Sequence, residues 1–502
     1  MKAIAYVPIA LCLAAASLAG ENSQSTTPPP TPPSPTATPA PERTSSGGVP
    51  LEGVFRNGFV LRTPDGTSEL RLAASFQLDS RSYFGDSVAP DSFDIRRARL
   101  DVNAKVFDFI TVRIQAAMED NPYIRNAYLD LGRGKAVNLR IGQMKVPFST
   151  NWLTLDNQVN FIERGTAEPL YPFFDRGLML WGNVARDTLT YQLGVYNGTG
   201  VDVEGSKGDV DDHKDAALRL FYQPFRHRDG SPLEGLYLVG EGTYGLTSVA
   251  TRRFETRGLM AANYESLLWR WRADQVLGSD GRNSDVLVSE IDSRTRVGAE
   301  VLYLRGPLTL SAEWLEARWD GIAVYHDAMA GSSRRYRELV LQRDGAVRSL
   351  SLWGSYYLTG ERKLVDASGW RQPNPLKPFT GKGSGTGAFE VLARYSRTRT
   401  DPELFDAVRV TGFSGGVGEG NVVTAAVLQG SADVRELTVG LNWMLNYYFR
   451  VIFDVTTITA LDFEDGQRGI VSGGNSELGD PTRKGRLVET EHMAAVRFIV
   501  RI

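Results

Sequence analysis

The sequence predicts an all-β fold, a transmembrane antiparallel β-barrel of about sixteen strands. Three observations lead to this prediction. First, apolar and polar side chains alternate with period two through most of the chain after Gly53. Second, short and long connections between these segments follow each other alternately along the chain. Third, no run of about 18 apolar residues follows Gly53. A soluble sandwich or propeller has no reason for such uneven connections, whereas outer-membrane barrels have short periplasmic turns and longer external loops.

The alternation is clearest between Phe93 and Glu119, over two consecutive segments. One face carries Ala98, Leu100, Val102, Ala104, Val106, Val112, Ile114, Ala116 and Met118, and the other carries Arg97, Arg99, Asp101, Asn103, Lys105, Thr111, Arg113, Gln115 and Glu119. Because hydrocarbon cannot satisfy free backbone groups, a membrane sheet closes on itself and turns apolar side chains to lipid and polar ones to a wet lumen. A soluble sheet with one solvated face gives the same alternation. The number of segments, the uneven connections and the signs of export favour the barrel.

About sixteen segments alternate in this way. They lie near 70–84, 95–106, 109–120, 124–132, 136–144, 176–186, 188–198, 214–225, 235–247, 292–304, 307–319, 347–359, 387–399, 433–446, 447–460 and 489–502.

The connections divide into a short side and a long side. Tight ones follow most even-numbered segments, at 107–108, 132–135, 185–187, 304–307 and 445–447, with a longer exception at 360–386. Long, polar ones follow most odd-numbered segments, at 145–175, 199–213, 248–291, 320–346, 400–432 and 461–488. A barrel of this size leaves an aqueous channel, so a loop that folds inward sets its width. We expect 145–175 to form that constriction.

The first 50 residues predict export. Lys2, a following apolar stretch and the small-x-small site at 17–19 make residues 1–20 a predicted signal peptide. Residues 21–50 are rich in Pro, Thr and Ser and cannot bury a core, so we expect a disordered linker before a barrel domain at 51–502. Cys12, the one cysteine, lies in the signal peptide, and the mature chain therefore has no disulfide.

The sequence offers little for catalysis or for a bound cofactor. The net charge of -3 suggests no nucleic-acid partner. No G-x-S-x-G occurs, and "GKGSGTG" (381–387) lacks the spacing of a phosphate-binding loop. The acidic stretch 208–215 matches no defined calcium loop, and the four histidines are far apart. We expect no enzyme activity, no cofactor and no metal site.

Several stretches resemble the phosphate-selective porin O and P family of outer-membrane proteins. They follow the family's order over about residues 70–502, as "FDIRRARLDV" (93–102), "NLRIGQMKVPFS" (138–149), "SLWGSYYLTGE" (351–361), "GAFEVLARYSR" (387–397), "LTVGLNWMLN" (437–446) and the arginine-bearing final strand. The resemblance implies a sixteen-stranded porin of the outer membrane, a homotrimer, whose lumen arginines draw anions through a narrow eyelet.

Arginines are the candidate anion ligands, because their planar fork is always charged and matches phosphate or carboxylate oxygens. Alternation places Arg97, Arg99 and Arg113 in the lumen. The resemblance adds Arg96 from "RRAR", and Arg252, Arg253 and Arg257 from "ATRRFETRGLM". Neighbouring acids could instead neutralise these arginines, as Asp94, Asp101 and Glu119 are close in sequence.

Two departures from the family's pattern bear on phosphate selectivity. No lysine follows Lys145 in "PFSTNWLTLDN", where the family has a pore-lining lysine. In the fourth strand, an acidic lumen position of the family is replaced near Arg125–Asn126.

These observations predict a porin for passive diffusion of small anions, with phosphate and polyphosphate as candidate solutes. A general or sugar-permeable porin, in which the arginines face paired acids, is an alternative, and an exported soluble all-β enzyme or adhesin is another. The expected partners are small anions such as phosphate, the lipid bilayer with lipopolysaccharide, two further copies of the chain, and the cell wall through the linker.

Overall fold

Sixteen long antiparallel strands dominate the described residues. The computed structural model describes residues 48–119, 122–198, 212–246, 269–271, 276–277, 283–330, 334–383, 385–411, 422–426, 428–472 and 486–502. The first eight barrel strands are β1 Glu69–Gly85, β2 Ser92–Val106, β3 Ile110–Ala117, β4 Tyr123–Leu131, β5 Asn138–Lys145, β6 Phe174–Val184, β7 Leu189–Tyr196 and β8 Asp215–Tyr222. The others are β9 Leu236–Leu246, β10 Ser293–Arg305, β11 Leu308–Ala330, β12 Arg334–Tyr357, β13 Ala388–Thr400, β14 Asp433–Met444, β15 Phe449–Ala460 and β16 Thr490–Arg501.

Each barrel strand pairs with its neighbours in sequence, and the sheet closes when β16 pairs with β1. The closing register joins Glu491 to Gly85 and Arg501 to Ser75. Closure leaves no free edge, so the ladder satisfies the backbone groups that hydrocarbon cannot. The predicted fold, an antiparallel barrel of about sixteen strands, is confirmed, and each predicted segment overlaps the barrel strand of the same rank.

One predicted long loop is instead paired strand. Residues 320–330 continue β11 and residues 334–346 belong to β12, and the two stretches are paired as far as Ala330 and Arg334. The register shifts between Trp319 and Ile322 and between Val324 and Tyr325. Outside hydrocarbon a strand needs no apolar outer face, so an extended hairpin there lacks the alternation by which the other strands were predicted.

The outer face is apolar. Leucine and valine side chains cover it and are exposed, among them Leu178, Leu193, Leu218, Val301, Leu310, Leu350, Val391 and Leu437. Near the short turns the outward positions are aromatic, at Tyr191, Tyr222, Tyr303, Tyr356, Phe389 and Trp443. The Tyr303 hydroxyl donates to the Pro232 carbonyl at 2.8 Å, and Trp443 Nε1 donates to the Thr386 carbonyl at 2.8 Å. An apolar band bordered by hydrogen-bonded aromatics suits the lipid–water boundary.

Shorter elements decorate the barrel. A hairpin of Glu52–Phe55 and Phe59–Arg62 pairs with the start of β1. The remaining strands are Trp269–Trp271, Val276–Leu277, Asn283–Glu290, Leu364–Asp366, Gly369–Arg371, Ala407–Thr411, Val422–Ala426, Leu428–Gly430, Ile470–Ser472 and Arg486–Val488. Helices are confined, in the described ranges, to α1 Thr150–Leu153 and the 3-10 turns Glu168–Leu170 and Pro402–Phe405. None of them has the length and apolar character of a membrane span.

Candidate functional site

The constriction loop, residues 146–173 between β5 and β6, lies inside the barrel. Its buried side chains include Phe148, Trp152, Phe161 and Tyr171. Irregular backbone inside a barrel requires polar partners, because each buried N–H and C=O must find one. Interior side chains from both sides of the barrel supply them.

The loop begins with the short helix α1. The Ser149 hydroxyl accepts from the backbone N–H groups of Asn151 at 3.1 Å and Trp152 at 3.4 Å, which caps the helix start. Lys145 Nζ, at the end of β5, donates to the carbonyls of Trp152 at 2.6 Å and Thr154 at 3.0 Å. It thereby satisfies carbonyls that the end of a helix leaves without partners.

Carboxylates of β10 and β11 hold this part of the loop. Glu300 Oε1 accepts from the Thr150 backbone N–H at 2.8 Å and from its hydroxyl at 2.9 Å. Glu313 Oε2 accepts from Asn151 Nδ2 at 3.1 Å and from the Tyr171 hydroxyl at 2.9 Å. Burial, and then the Glu313 charge, raise the pKa of Tyr171 well above its ordinary value, so the phenol remains a donor.

A second part of the barrel wall, formed by β15, β16 and β1, holds the middle of the loop. The Ile162 N–H donates to Asp454 Oδ2 at 2.6 Å, and its carbonyl accepts from Arg497 Nη1 at 2.7 Å. The Glu163 carboxylate accepts from Arg81 Nη2 at 2.5 Å. Burial opposes that charge, but Arg81 and other guanidinium groups lower the pKa of Glu163 below its ordinary value. The loop is therefore attached to both sides of the barrel interior.

Four arginines converge on Asp156 of the loop, and we call them the arginine cluster. Arg164 lies 2.7 Å from Asp156 Oδ1, and Arg125, Arg97 and Arg99 lie 3.3, 3.4 and 3.9 Å from Oδ2. Burial alone would raise the pKa of Asp156, but Arg125, Arg97 and Arg164 hold it well below its ordinary range. The carboxylate is thus ionised at neutral pH.

The structure brings some of the predicted arginines together and separates others. Arg97 and Arg99 belong to the arginine cluster, and Arg99 also pairs with Glu119. Arg113 pairs instead with Asp101, Nε to Oδ1 at 2.8 Å. Arg252, Arg253 and Arg257 lie outside the described residues.

Bulges explain two positions that strict alternation does not reach. In the pairing of β1 with β2 the register shifts between Gln77 and Leu78 of β1, so Arg96 of β2 is an extra residue, and its Nε lies 3.9 Å from Glu163 Oε1. In the pairing of β3 with β4 a shift between Gln115 and Ala116 of β3 makes Arg125 of β4 the extra residue. A bulge re-aims side chains locally, so both neighbours can point inward.

Sequence reasoning missed Arg125 and Arg164 as members of the cluster. The only signal for Arg125 was the broken alternation around 124–126, and Arg164 lies in a loop without periodicity. No group of three or more His, Cys, Asp or Glu side chains is arranged to hold a metal ion in the described ranges, which include only 212–215 of the acidic stretch 208–215.

The turn-side segment, residues 358–387 between β12 and β13, also reaches the constriction loop. The Trp370 N–H donates to Thr154 Oγ1 at 2.8 Å, and the Gln372 N–H donates to Gln158 Oε1 at 2.8 Å. Lys363 Nζ lies 2.6 Å from Glu390 Oε1 and donates to Asn160 Oδ1 at 2.7 Å. The loop is therefore contacted from the side of the short turns as well.

Replacing Lys363 is expected to destabilise the barrel strongly. Lys363 and Glu390 are both fully buried, so Lys363→Met leaves a buried carboxylate without its cation. Breaking such a pair from one side costs about 3–5 kcal/mol. The temperature at which the folded form loses its faster mobility in a gel measures the effect. The double variant Lys363→Met, Glu390→Leu removes both charges and should recover much of the loss; equal loss in both variants would contradict the ion-pair explanation.

Comparison with known proteins identifies a matching family and several similar structures. The sequence model of the phosphate-selective porin O and P family matches residues 68–460. Among solved structures, the chain resembles an anion-selective porin from Comamonas acidovorans at 10% identity, over 87% of this chain and 100% of that one, with a TM-score of 0.47. It also resembles the outer-membrane protein OmpT of Vibrio cholerae at 10% identity, over 87% and 98% of the two chains, with a TM-score of 0.44. No curated protein sequence matches significantly.

The family match covers most of the chain, from the start of β1 to the end of β15. It agrees with the closed barrel, the apolar outer face and the inward loop, and it favours a channel over the soluble enzyme or adhesin considered from the sequence. The chain is a member of the phosphate-selective porin O and P family and forms a β-barrel of the bacterial outer membrane.

Proposed function

We propose that this porin passes small anions by passive diffusion, with phosphate and polyphosphate as candidate solutes. The observation that supports the proposal is the arginine cluster, where four guanidinium groups meet at the constriction loop around one carboxylate. Cations concentrated at a narrow point attract anions more strongly than the same groups in open solvent.

The proposed mechanism is stepwise exchange of one anion between guanidinium groups. Each arginine offers a planar set of donors that a phosphate or carboxylate can occupy in part before moving to the next. Binding must be strong enough to attract the solute and weak enough to release it. We include Arg96, Arg97, Arg99 and Arg113 as candidate ligands, with Arg252, Arg253 and Arg257 after β9, and we add Arg125 and Arg164.

A general porin without anion selectivity is the second candidate, and a specific observation favours it. Several interior arginines are paired with carboxylates. Arg497 Nε lies 2.6 Å from Asp79 Oδ1, and Arg394 Nη2 lies 2.5 Å from Glu436 Oε1. Paired charges present little net field to a passing solute. Anion selectivity therefore depends on how many more cations than carboxylates lie near the loop.

Reversal potentials separate the two candidates. Purified protein is inserted in planar bilayers under a gradient of potassium chloride, and phosphate is then titrated against the chloride current. An anion-selective potential with block by phosphate supports the proposal. A potential near zero, without phosphate block, identifies a general porin.

We also propose that the barrel assembles as a homotrimer through β16 and β1–β4. Their outward positions include small residues, at Ala74, Ser80, Ser82, Ala98, Ala104, Ala116, Ala127 and Ala494, beside exposed large apolar ones such as Leu72, Phe76, Leu100 and Ile114. Small side chains let neighbouring barrels approach, and the exposed apolar ones would be buried between them. Light scattering of the purified protein gives the number of copies, and a monomer would contradict the proposal.

For the first 50 residues, the roles predicted from the sequence remain proposals. Residues 1–20 are a proposed signal peptide and 21–50 a proposed linker that reaches the cell wall, ahead of the barrel domain 51–502. N-terminal sequencing of protein recovered from outer membranes tests the cleavage site, and co-sedimentation with isolated cell walls, with and without residues 21–50, tests the contact.

A further inference from the structure

The arginine cluster already contains an anion, the Asp156 carboxylate of the chain itself. Among the described residues, only Arg164 Nη2 forms a hydrogen bond of ordinary length with it, 2.7 Å to Oδ1. Arg125, Arg97 and Arg99 share Oδ2 at 3.3, 3.4 and 3.9 Å. Donor–acceptor distances in good hydrogen bonds of this kind are about 2.7–3.2 Å. The three strand arginines are therefore close to the carboxylate but poorly bonded to it.

The strand arginines have hydrogen-bonding capacity that the carboxylate does not use. Arg97, Arg99 and Arg125 are only 5%, 4% and 6% exposed. Nε of Arg99 and Nε of Arg125 are buried and have no hydrogen-bond partner in the described part of the chain. A buried donor without an acceptor is costly. A free anion such as phosphate carries several oxygens and could face all three forks, which one tethered carboxylate cannot do.

We propose that Asp156 determines the strength of anion binding in this pore by acting as a tethered competitor for the arginine cluster. Its carboxylate occupies the cluster when no solute is present, and a passing phosphate or carboxylate solute displaces it from Arg97, Arg99 and Arg125. The proposal rests on the proposed anion-conducting function and adds a specific site and competitor to it. A built-in competitor weakens binding of the solute and speeds its release, as conduction requires.

The loop has other attachments that would hold it in place without the Asp156 charge. The Asp156 carbonyl accepts from Gln77 Nε2 at 2.8 Å. Arg164 also pairs with Glu168 at 3.0 Å and donates through Nε to the Asn151 carbonyl at 3.1 Å. An amide in place of the carboxylate keeps the shape of the side chain and one acceptor oxygen, and it removes the charge. Asp156→Asn therefore tests whether the Asp156 charge competes with the solute, separately from any role of the side chain in holding the loop.

Calorimetric titration of the purified, detergent-solubilised porin tests this directly, with inorganic phosphate and with acetate as probes. Asp156→Asn is expected to bind both about tenfold more tightly or better, because a negative charge within 4 Å of the guanidinium groups has been removed. The matched control is Asp130→Asn, since Asp130 is another interior carboxylate paired with an arginine, 2.5 Å from Arg140. Its affinity for phosphate should stay within about twofold of the wild type.

The sign of the change distinguishes competition from a supporting role. If Asp156 only supported the loop, its replacement would loosen the arginines and weaken binding. Unchanged or weaker phosphate binding in folded Asp156→Asn would overturn the proposal. If that variant does not fold, Asp156→Ser is measured instead. It too should bind phosphate more tightly, and unchanged or weaker binding would overturn the proposal. Wild-type reversal potentials are measured in parallel, so a wild type without anion preference refutes the proposed function, while tighter binding in the variant still supports the competitor.

Discussion

The double variant Arg99→Gln, Arg125→Gln is expected to lose most of the anion preference proposed for this pore. Two of the four cations around Asp156 would disappear, while Asp156 itself and Glu119, the partner of Arg99, remain, so two cations would face two carboxylates. A unit charge acting over about 4 Å at an effective dielectric near 20 is worth about 4 kcal/mol, so the cluster would change from attracting anions to nearly neutral. The reversal potential in a salt gradient should move to zero or to cation preference, and phosphate should no longer block chloride current.

Arg140→Gln provides the matched control for that experiment. Arg140 is also an interior arginine paired with an aspartate, Asp130, but it is not among the residues that contact Asp156. Its replacement should change the reversal potential far less. Equal shifts in the control and in the double variant would mean that selectivity follows the net charge of the barrel interior. The arginine cluster would then have no special role.

Gly369→Ala is expected to raise single-channel conductance. Gly369 lies in the turn-side segment with φ +113°, and a Cβ there would lie 2.5 Å from both Cα and N of Thr154 in the constriction loop. Such an approach to backbone atoms is not possible, so the segment must move away from the loop. The Trp370 N–H would then lose its bond to Thr154 Oγ1. We expect conductance to rise by about twofold or more, because the segment would no longer contact the constriction loop and would leave more room beside it.

Gly381→Ala separates this displacement from simple backbone strain. Gly381 lies in the same segment, with φ +74°, but a Cβ there meets nothing within 4 Å. Both substitutions carry the cost of an L-residue in the left-handed region, about 1–2 kcal/mol. The control should therefore lose only the stability that this backbone strain costs, and it should keep its conductance. Higher conductance in both variants would place the cause in strain, and unchanged conductance in Gly369→Ala would show that the segment does not limit the pore.

The barrel could be predicted from the sequence because its cause is local. Alternation such as that of Leu437, Val439, Leu441 and Trp443 follows from a strand that has lipid on one side and water on the other. Short turns such as 306–307 follow from pairing of neighbouring strands. A strand that does not lie between lipid and water has no reason to show this alternation. The hairpin of β11 and β12 beyond the membrane was accordingly missed.

The constriction could be predicted only in part. Its length and polarity identified 145–175 as the inward loop, but nothing in its sequence indicated which strands would hold it. Ile162 contacts Asp454 across 292 residues of chain, and Arg81 contacts Glu163 across 82. Such contacts depend on closure of the whole barrel. The same is true of the turn-side segment, which the sequence marked only as an exceptionally long connection.

The sequence by itself determined the fold class, the number and position of the strands and the arginines that face inward by alternation, because a repeating two-sided environment acts on each strand separately. The tertiary structure alone decided which of these arginines meet. Arg97 and Arg99 lie with Arg125 and Arg164 around Asp156, whereas Arg113 forms an ion pair with Asp101. Bulges and an inward loop set those distances, and both arise from how the strands close around the interior, which period two does not encode.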